Sequence, residues 1–534
     1  MASDRRSNRT RADSGPGRRC ALIAGLALMS GLVAGCTGGA VAMPSASTSK
    51  AATPPSPVPS TPAVAPEPLH APRARPNVIF VLADDLALNL VPYMPHVQAL
   101  QKAGTTFSNY TVTDSLCCPS RSSIFTGKFP HNTGIFRNTG PDGGFDAFRS
   151  RGEESSTFAT ALKKSGYRTA MMGKYLNGYV PKADLDGTGP YVPPGWTEWV
   201  GAGNAGYDEF TYTLNQNRHV VQYGATPADY LTHVVSGRGS KFIEDSVAAG
   251  SPFLLEIATF APHAPYTPAP KDAKRFPGLK APRTAAYNTL PTDPPPWLAG
   301  RKEMKPKKQK QIDTVFRKRV QAVQSVDRMI GSLQKTLKKT GTADDTLIVF
   351  SSDNGFHLGE HRLGPGKQTA FDTDVHVPLV VAGPGVPAGW VSPEVVQNID
   401  LAPTFEELAG AKPAADVDGQ SLVPLFYGRP EATWRTTALI EHHGPDVDPA
   451  DPDFPGPGAA NPTSYEALRT TAYTYVEYVD GFSEYYDRRT DPDQLHNIAA
   501  TLPAATRAAL KADLARLKVC QGQSACWDAA HARS

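Results

Sequence analysis

An excess of charge of either sign is missing from this chain: 54 Lys and Arg stand against 51 Asp and Glu in 534 residues, a formal net charge of +3. With the signs interspersed, such a chain offers no broad basic footprint for nucleic acid. Internal repeats are missing as well, which excludes a solenoid or propeller array. The apolar run from Ala21 to Val33 is too short for a comfortable membrane-spanning helix. Cysteine is scarce, with six in all, yet two of the six are adjacent, at Cys117 and Cys118. Adjacent cysteines are poorly placed to pair with each other, so at least one needs a reason other than a disulfide.

The N-terminal stretch reads as an export signal. Arg18 and Arg19 precede the apolar run, and the small residues Ala34 and Gly35 close it before Cys36. The sequence "LVAGC" resembles a bacterial lipobox, in which the cysteine is lipidated and becomes the mature N-terminus; an ordinary cleaved signal peptide is the alternative. Ala, Pro, Ser and Thr dominate the segment that follows, which cannot bury enough apolar surface to fold and reads as a tether. The expected organisation is a signal over 1–35, a tether over 36–74, a large domain over 75–429 and a small C-terminal subdomain over 430–534. This places the protein at the cell envelope, anchored through lipid on the outer face of the cytoplasmic membrane, or secreted. In an exported protein Cys520 and Cys526 are close enough to form a small disulfide loop.

From about residue 75 apolar runs alternate with helical patterns. "NVIFVLADD" (77–85), "RTAMMGK" (168–174), "FLLEIATFAPH" (253–263), "TLIVFSSDN" (346–354) and "PLVVAGPG" (378–385) read as buried strands. Between them "MPHVQALQKAG" (94–104), "STFATALKKSG" (156–166) and "FRKRVQAVQSVDRMIGSLQKTLKKTG" (316–341) carry helical patterns. The layout predicts an α/β fold with a large, mostly parallel sheet flanked by helices.

Ionisable residues fall just beyond the carboxyl ends of these strands: Asp84 and Asp85, Lys174, His263, and Asp353 with Asn354. Open α/β sheets gather ligands at that rim. One "DD" or "SDNG" by itself is an ordinary turn or helix cap; four strands delivering such groups to one rim is a different matter. Asp84, Asp85, Asp353 and Asn354 are hard oxygen donors with no histidine pair beside them, a set that suits Ca²⁺ or Mg²⁺ better than zinc. Arg121, Lys174, His263 and Lys367 are cationic or can become so. A divalent cation with several positive groups makes an oxyanion site, suited to hydrolysis of a sulfate or phosphate ester.

The tract C-x-P-S-R-x-x-x-x-T-G, Cys117 to Gly127, resembles the signature of the formylglycine-dependent sulfatases. Further matching stretches are "VLADD", "GKYLNGY", "SDNGFHLGEH", "KQTAFDTDVHVPL" and "NIDLAPTFEELAG", so the resemblance runs over nearly the whole chain from about residue 75. It is nearest to the branch that holds N-acetylglucosamine-6-sulfatase and the extracellular heparan endosulfatases. The resemblance implies an alkaline-phosphatase-like sulfatase fold with a small C-terminal antiparallel-sheet subdomain. It also implies that a formylglycine-generating enzyme oxidises Cys117 to an aldehyde, while Cys118 fills a variable position. Asp84, Asp85, Asp353 and Asn354 would hold Ca²⁺ together with the side chain at 117, and Arg121, Lys174, His263 and Lys367 would be the catalytic cations. A hydrated aldehyde supplies one hydroxyl to attack sulfur and a second whose deprotonation expels sulfate.

A sugar alcohol is a poor leaving group, so a proton donor must meet its oxygen, and either His263 or Lys367 could serve. Where many sulfatases read G-K-W-H-L-G, this chain reads Gly173 to Gly178 with Asn177 in place of the usual histidine; the glucosamine-6-sulfatase branch shares that departure. Asn177, His131 and His357 are candidates for substrate contact. The expected activity is removal of sulfate from a carbohydrate, a 6-O-sulfated N-acetylglucosamine residue above all. A formylglycine-dependent phosphodiesterase or phosphonate monoester hydrolase, and a glycan-binding surface lipoprotein without catalysis, are the alternatives.

Overall fold

In the computed structural model the described residues run from 74 to 531, with position 432 excepted. The expected export signal, the expected lipobox cysteine Cys36 and nearly all of the expected tether lie outside them. Among the described residues no helix is long and apolar enough to cross a membrane.

The strands form two sheets. The large one contains β1 (Asn77–Ala83), β2 (Thr105–Thr111), β3 (Arg168–Lys174), β4 (Glu198–Ala202), β5 (Thr213–Gln216), β6 (His219–Gln222), β7 (Phe253–Ala258), β8 (Thr346–Ser352), β9 (Leu379–Ala382) and β10 (Trp390–Gln397). Their order is β10-β2-β9-β8-β1-β7-β3-β4-β5-β6. The centre, β8-β1-β7-β3, is parallel, with Val78 opposite Leu254 on one side and Leu347 on the other. β7 and β8 are buried along their whole length, as expected for strands covered on both faces. The "PLVVAGPG" run does form a strand, but β9 lies antiparallel to both β8 and β2. Strands β4, β5 and β6 extend the far edge in runs of four or five residues, too short to stand out from the chain alone; β6 is mostly exposed.

Helices cover both faces. Helix Pro306–Thr340 is the longest and begins ten residues before the predicted start. It buries Ile312, Phe316, Val320, Val323 and Ile330, at helical spacing, against one face of the sheet. Gly341 ends it in the left-handed conformation at φ 72°. On the opposite face, helix Cys117–Thr126 has no exposed residue. It closes on Gly127, φ 71°, where a Cβ would come within 3.2 Å of the Ile399 carbonyl oxygen.

The second sheet is antiparallel: β11 (Ala438–His442), β12 (Tyr465–Arg469), β13 (Tyr473–Tyr478) and β14 (Ser483–Asp487), in that order. Helix Ala504–Leu517 packs on it through Leu510, Leu514 and Leu517. The Cys520–Cys526 disulfide joins this small core. Tyr486 is buried with its hydroxyl on Glu484, and Tyr485 stacks on Tyr473, so these tyrosines build the subdomain. The β11–β12 connection, residues 443–464, is long for a hairpin, and part of it returns to the rim of the large sheet.

Candidate active site

The ends of β1, β3, β7 and β8 meet at one place. Asp84 and Asp85 follow β1, Lys174 ends β3, and Asp353 and Asn354 follow β8. His263 is carried a little past β7 by a turn in which its amide bonds to the Phe260 carbonyl. Gly173 allows β3 to run this close to β7: its φ is 106°, and a Cβ would come within 2.0 Å of the Ala258 carbonyl oxygen. Asp85 has φ 61°, uncommon for a residue with a side chain, and its amide donates to Asp353 Oδ1 at 3.1 Å. A strained backbone at such a position is over-determined by its surroundings. Here the buried Arg319 guanidinium holds the Asp85 carbonyl oxygen and packs 3.9 Å over the Phe356 ring.

Cys117 opens its helix and points into this cluster. Its thiol donates to Asp84 Oδ1 at 3.2 Å, and Asn354 Oδ1 lies 3.6 Å away. Lys367 Nζ donates to the sulfur at 2.9 Å. Asp84, Asp85, Cys117 and Asp353 each offer a ligand atom within 4.8 Å of the others, and all four are buried. Asn354 Nδ2 donates to Asp85 Oδ1 at 2.7 Å, which leaves its oxygen directed toward the cysteine. Three carboxyls and an amide oxygen around one buried point suit a hard divalent cation. Burial pushes the Asp84 carboxyl above its ordinary range, and Asp353 beside it pushes it further, against the pull of Lys174. Burial acts on Asp353 in the same sense, but Arg121, Lys174 and Lys367 hold it down, at about 2. A cation among these groups would favour the ionised form of all three acids.

The cations surround the same point. Arg121 Nε donates to Asp353 Oδ2 at 2.8 Å and Nη1 to the Lys174 carbonyl oxygen at 2.8 Å. Lys174 Nζ pairs with Asp84 Oδ2 at 2.7 Å. Lys367 sits in a loop, yet it is only 4% exposed, with Nζ 2.6 Å from Asp85 Oδ1. Burial disfavours the charge of both lysines, yet the surrounding carboxylates raise their affinity for the proton well above the ordinary value. His263 donates through Nδ1 to the Ala264 carbonyl oxygen at 2.7 Å and through Nε2 to Asp453 Oδ1 at 2.6 Å. With a carbonyl on one nitrogen and a carboxylate on the other, both carry protons and the ring is an imidazolium. Burial opposes that charge, but Asp85, Asp453 and Asp84 outweigh it and raise the histidine above its usual value.

Three participants were not found in the sequence. Asp453, from the β11–β12 connection, also takes Lys367 Nζ at 2.9 Å and Asn138 Nδ2 at 2.7 Å. Asn138 in turn accepts the amide of Cys118 at 2.9 Å, so it ties the start of the Cys117 helix to that loop. Tyr207 packs 4.4 Å from the His263 ring, and Lys174 Nζ lies 4.9 Å from its ring centroid. Asp453, His263, Lys367 and Asp85 line a cleft of about 400 Å³ that opens the cluster to solvent.

The secondary candidates separate. Asn177 is buried beside Tyr207, its Nδ2 3.4 Å from the tyrosine hydroxyl, and among the described residues its side-chain oxygen has no partner. His131 is not brought to the cleft: Nδ1 meets Glu441 at 2.9 Å and Nε2 the Cys520 carbonyl at 2.8 Å, so both nitrogens are engaged in fastening the subdomain. His357 is also set back. Asp374 holds its Nδ1 at 2.9 Å, and its backbone pairs with Gly366, which supports the Lys367 loop from behind. Cys118 is buried in the core, as a small packing residue would be.

Residues 76–411 match the family model described as Sulfatase, and 359–519 match that of the N-sulphoglucosamine sulphohydrolase C-terminal region. The chain is 35% identical to human N-acetylglucosamine-6-sulfatase over 478 residues, 84% of this chain and 85% of that one. It is also 35% identical over 381 residues to an extracellular sulfatase SULF-1 homolog of Drosophila melanogaster, covering 69% of this chain and 33% of that one. A solved structure in complex with its substrate D-glucosamine-2-N,6-O-disulfate superposes with a TM-score of 0.68 at 23% identity, over 83% of this chain and 97% of that one.

Proposed function

Because this chain belongs to the sulfatase family and is a sulfuric ester hydrolase, we propose that it removes the 6-O-sulfate from N-acetylglucosamine residues of a sulfated glycan outside the cytoplasm. The observation that carries this reading is the convergence of Arg121, Lys174, His263 and Lys367 on the acid cluster around Cys117. Its similarity to the human enzyme supports the sugar, and the export signal read from the sequence supports the location.

In this proposal Asp84, Asp85, Asp353 and Asn354 hold Ca²⁺. Bound there, the cation would polarise an ester oxygen and balance the sulfate charge, and formylglycine derived from Cys117 would supply the nucleophile. The rest is done by residues in place. Lys174 and Lys367 face the sulfuryl oxygens and stabilise the charge they gather as the ester bond breaks. Arg121 fixes Asp353 and the Lys174 carbonyl, which holds the acid cluster in register with the helix. His263, with both nitrogens protonated, gives its Nε2 proton to the departing sugar oxygen. Lys367 binds its proton more tightly, which favours the histidine as the acid.

Activity should disappear on exhaustive chelation, and the melting temperature should fall with it, because the carboxylates would then face one another with fewer positive charges between them. Asp353→Ala should reproduce both effects. Calorimetry and turnover before and after chelation measure this; full activity in a sample free of metal by elemental analysis contradicts the ligand set. Asp453 sits on two cations that a sulfate must also use. Asp453→Asn keeps the shape and removes the charge, so inorganic sulfate should inhibit the variant several-fold more strongly than the native enzyme. An unchanged inhibition constant would show that sulfate and Asp453 do not compete.

Turnover against GlcNAc-6-sulfate, other sulfated monosaccharides, an aryl sulfate and a phosphate diester tests the reading as a whole. A clear preference for the diester would move the chain to the phosphoester branch of this chemistry.

A further inference from the structure

The near balance of charge over the whole chain conceals a local excess. Between residues 301 and 310 the sequence reads RKEMKPKKQK, which sets Arg301, Lys302, Lys305, Lys307, Lys308 and Lys310 against Glu303. The stretch enters the long helix at Pro306, so these cations cluster around the helix start, where the N-terminal dipole adds positive potential. Lys302, Lys305, Lys307 and Lys310 are exposed. Neighbouring cations are spent on ion pairs, Arg283 with Asp313 at 2.6 Å and Arg328 with Asp272 at 2.5 Å. Among the described residues, the four exposed lysines have no carboxylate within 4.0 Å.

This face is shaped as a groove of about 480 Å³, lined by Arg301, Lys302, Lys305, Lys307, Lys308 and Arg362. Lys308 lines both this groove and the catalytic cleft, so the two adjoin. The wall between them is the end of the β11–β12 connection, which the same cations hold. Arg301 donates to the carbonyl oxygens of Gly458 and Ala459, and Lys308 Nζ lies 3.5 Å from that of Pro457.

Resting on the sulfatase reading above, we propose that the groove seats the continuing chain of a polyanionic glycan whose sulfated residue lies in the cleft. Exposed, unpaired lysines on a face that adjoins the site match sulfates and carboxylates repeated along a linear polymer. A single sugar with its sulfate at Cys117 has no further anion to place there. The contribution is electrostatic and exposed, so it acts on capture and residence of the polymer and is screened by salt.

The test uses the mature, full-length protein and the variant Lys302→Ser/Lys305→Ser/Lys307→Ser/Lys310→Ser. Arg301 and Lys308 stay intact because they hold the loop. At about 50 mM salt the variant should show KM for heparin-derived 6-O-sulfated oligosaccharides raised about tenfold, and the difference should vanish near about 500 mM. Its kcat/KM for GlcNAc-6-sulfate should stay within about twofold of native, and it should leave a heparin column at lower salt. Unchanged KM for the oligosaccharides, with native monosaccharide turnover intact, overturns the groove and leaves the sulfatase reading standing. Heparin retention that depends on the lysines in a protein that hydrolyses no sulfate ester does the opposite. An equal loss on monosaccharide and polymer also overturns the proposal, since the lysines would then act through the fold. So does lysine-dependent binding to phosphatidylglycerol vesicles with oligosaccharide KM unchanged, which would assign the face to a membrane.

Discussion

Cys117→Ala should lose at least about four orders of magnitude in kcat on any sulfate ester, the scale on which a covalent nucleophile is missed. The fold should survive, because the exchange removes one sulfur from a helix whose other nine residues remain buried. Cys118→Ala, one residue on, should leave turnover almost unchanged and cost modest stability from a small cavity. Mass spectrometry of the tryptic peptide gives the companion result: formylglycine at 117 and an intact thiol at 118. Active protein in which 117 is wholly thiol would end the formylglycine proposal.

Lys367→Ala should reduce turnover by about a hundredfold or more, the effect of losing one preorganised donor to the transition state. A lysine in a loop ordinarily lies at the surface and contributes little to folding. The structure corrects that expectation, because Lys367 Nζ bridges Asp85, Asp453 and the Cys117 sulfur below the surface. Removing one partner of a buried pair typically costs about 3–5 kcal/mol, since the other charges remain without it. The metal-free variant should therefore melt well below native, and added Ca²⁺ should recover most of the loss by neutralising Asp85. Lys367→Arg should restore stability better than turnover, because a planar fork keeps the charge but not the compact ammonium geometry. Turnover within a few-fold of native in a folded, fully converted Lys367→Ala protein would remove this lysine from the catalytic set.

The rim of the site could be read without a structure because strand chemistry and site chemistry share one signal. An apolar run that stops abruptly at Asp84, Lys174 or Asp353 marks both the end of a strand and the group it presents. Lys367 came from the family motif, since no periodicity surrounds it. Asp453 and Asn138 were missed because each sits in an irregular segment tied down by distant hydrogen bonds; Tyr207 lies in a single short helical turn, Asn204–Asp208, too brief to carry a pattern. "DPADPDFPGPG" alone reads as a polar loop, and nothing local says that its third Asp turns inward onto His263. The opposite error occurred at His131 and His357. Proximity in sequence to a motif suggested substrate contact, but Glu441 and Asp374, far away or hidden in a helix turn, had already claimed their rings. Strands β4 to β6 escaped because each is only four or five residues long, and the edge strand β6 is mostly exposed, so they carry too little apolar patterning to register.

The complete enclosure of helix Cys117–Thr126 fixes a sequence of events in the life of the protein. Cys117 is 0% exposed, and its neighbours on the helix are sealed by the 398–408 segment and by the short helices Pro130–Thr133 and Gly144–Ser150. Under the formylglycine proposal, a maturation enzyme would find Cys117 accessible only while the chain is still unfolded. Oxidation would then precede folding, and a copy that folded first would keep the thiol for its lifetime. The fraction of competent molecules would be a record of a race run once at biogenesis, which no later supply of the maturation enzyme could raise.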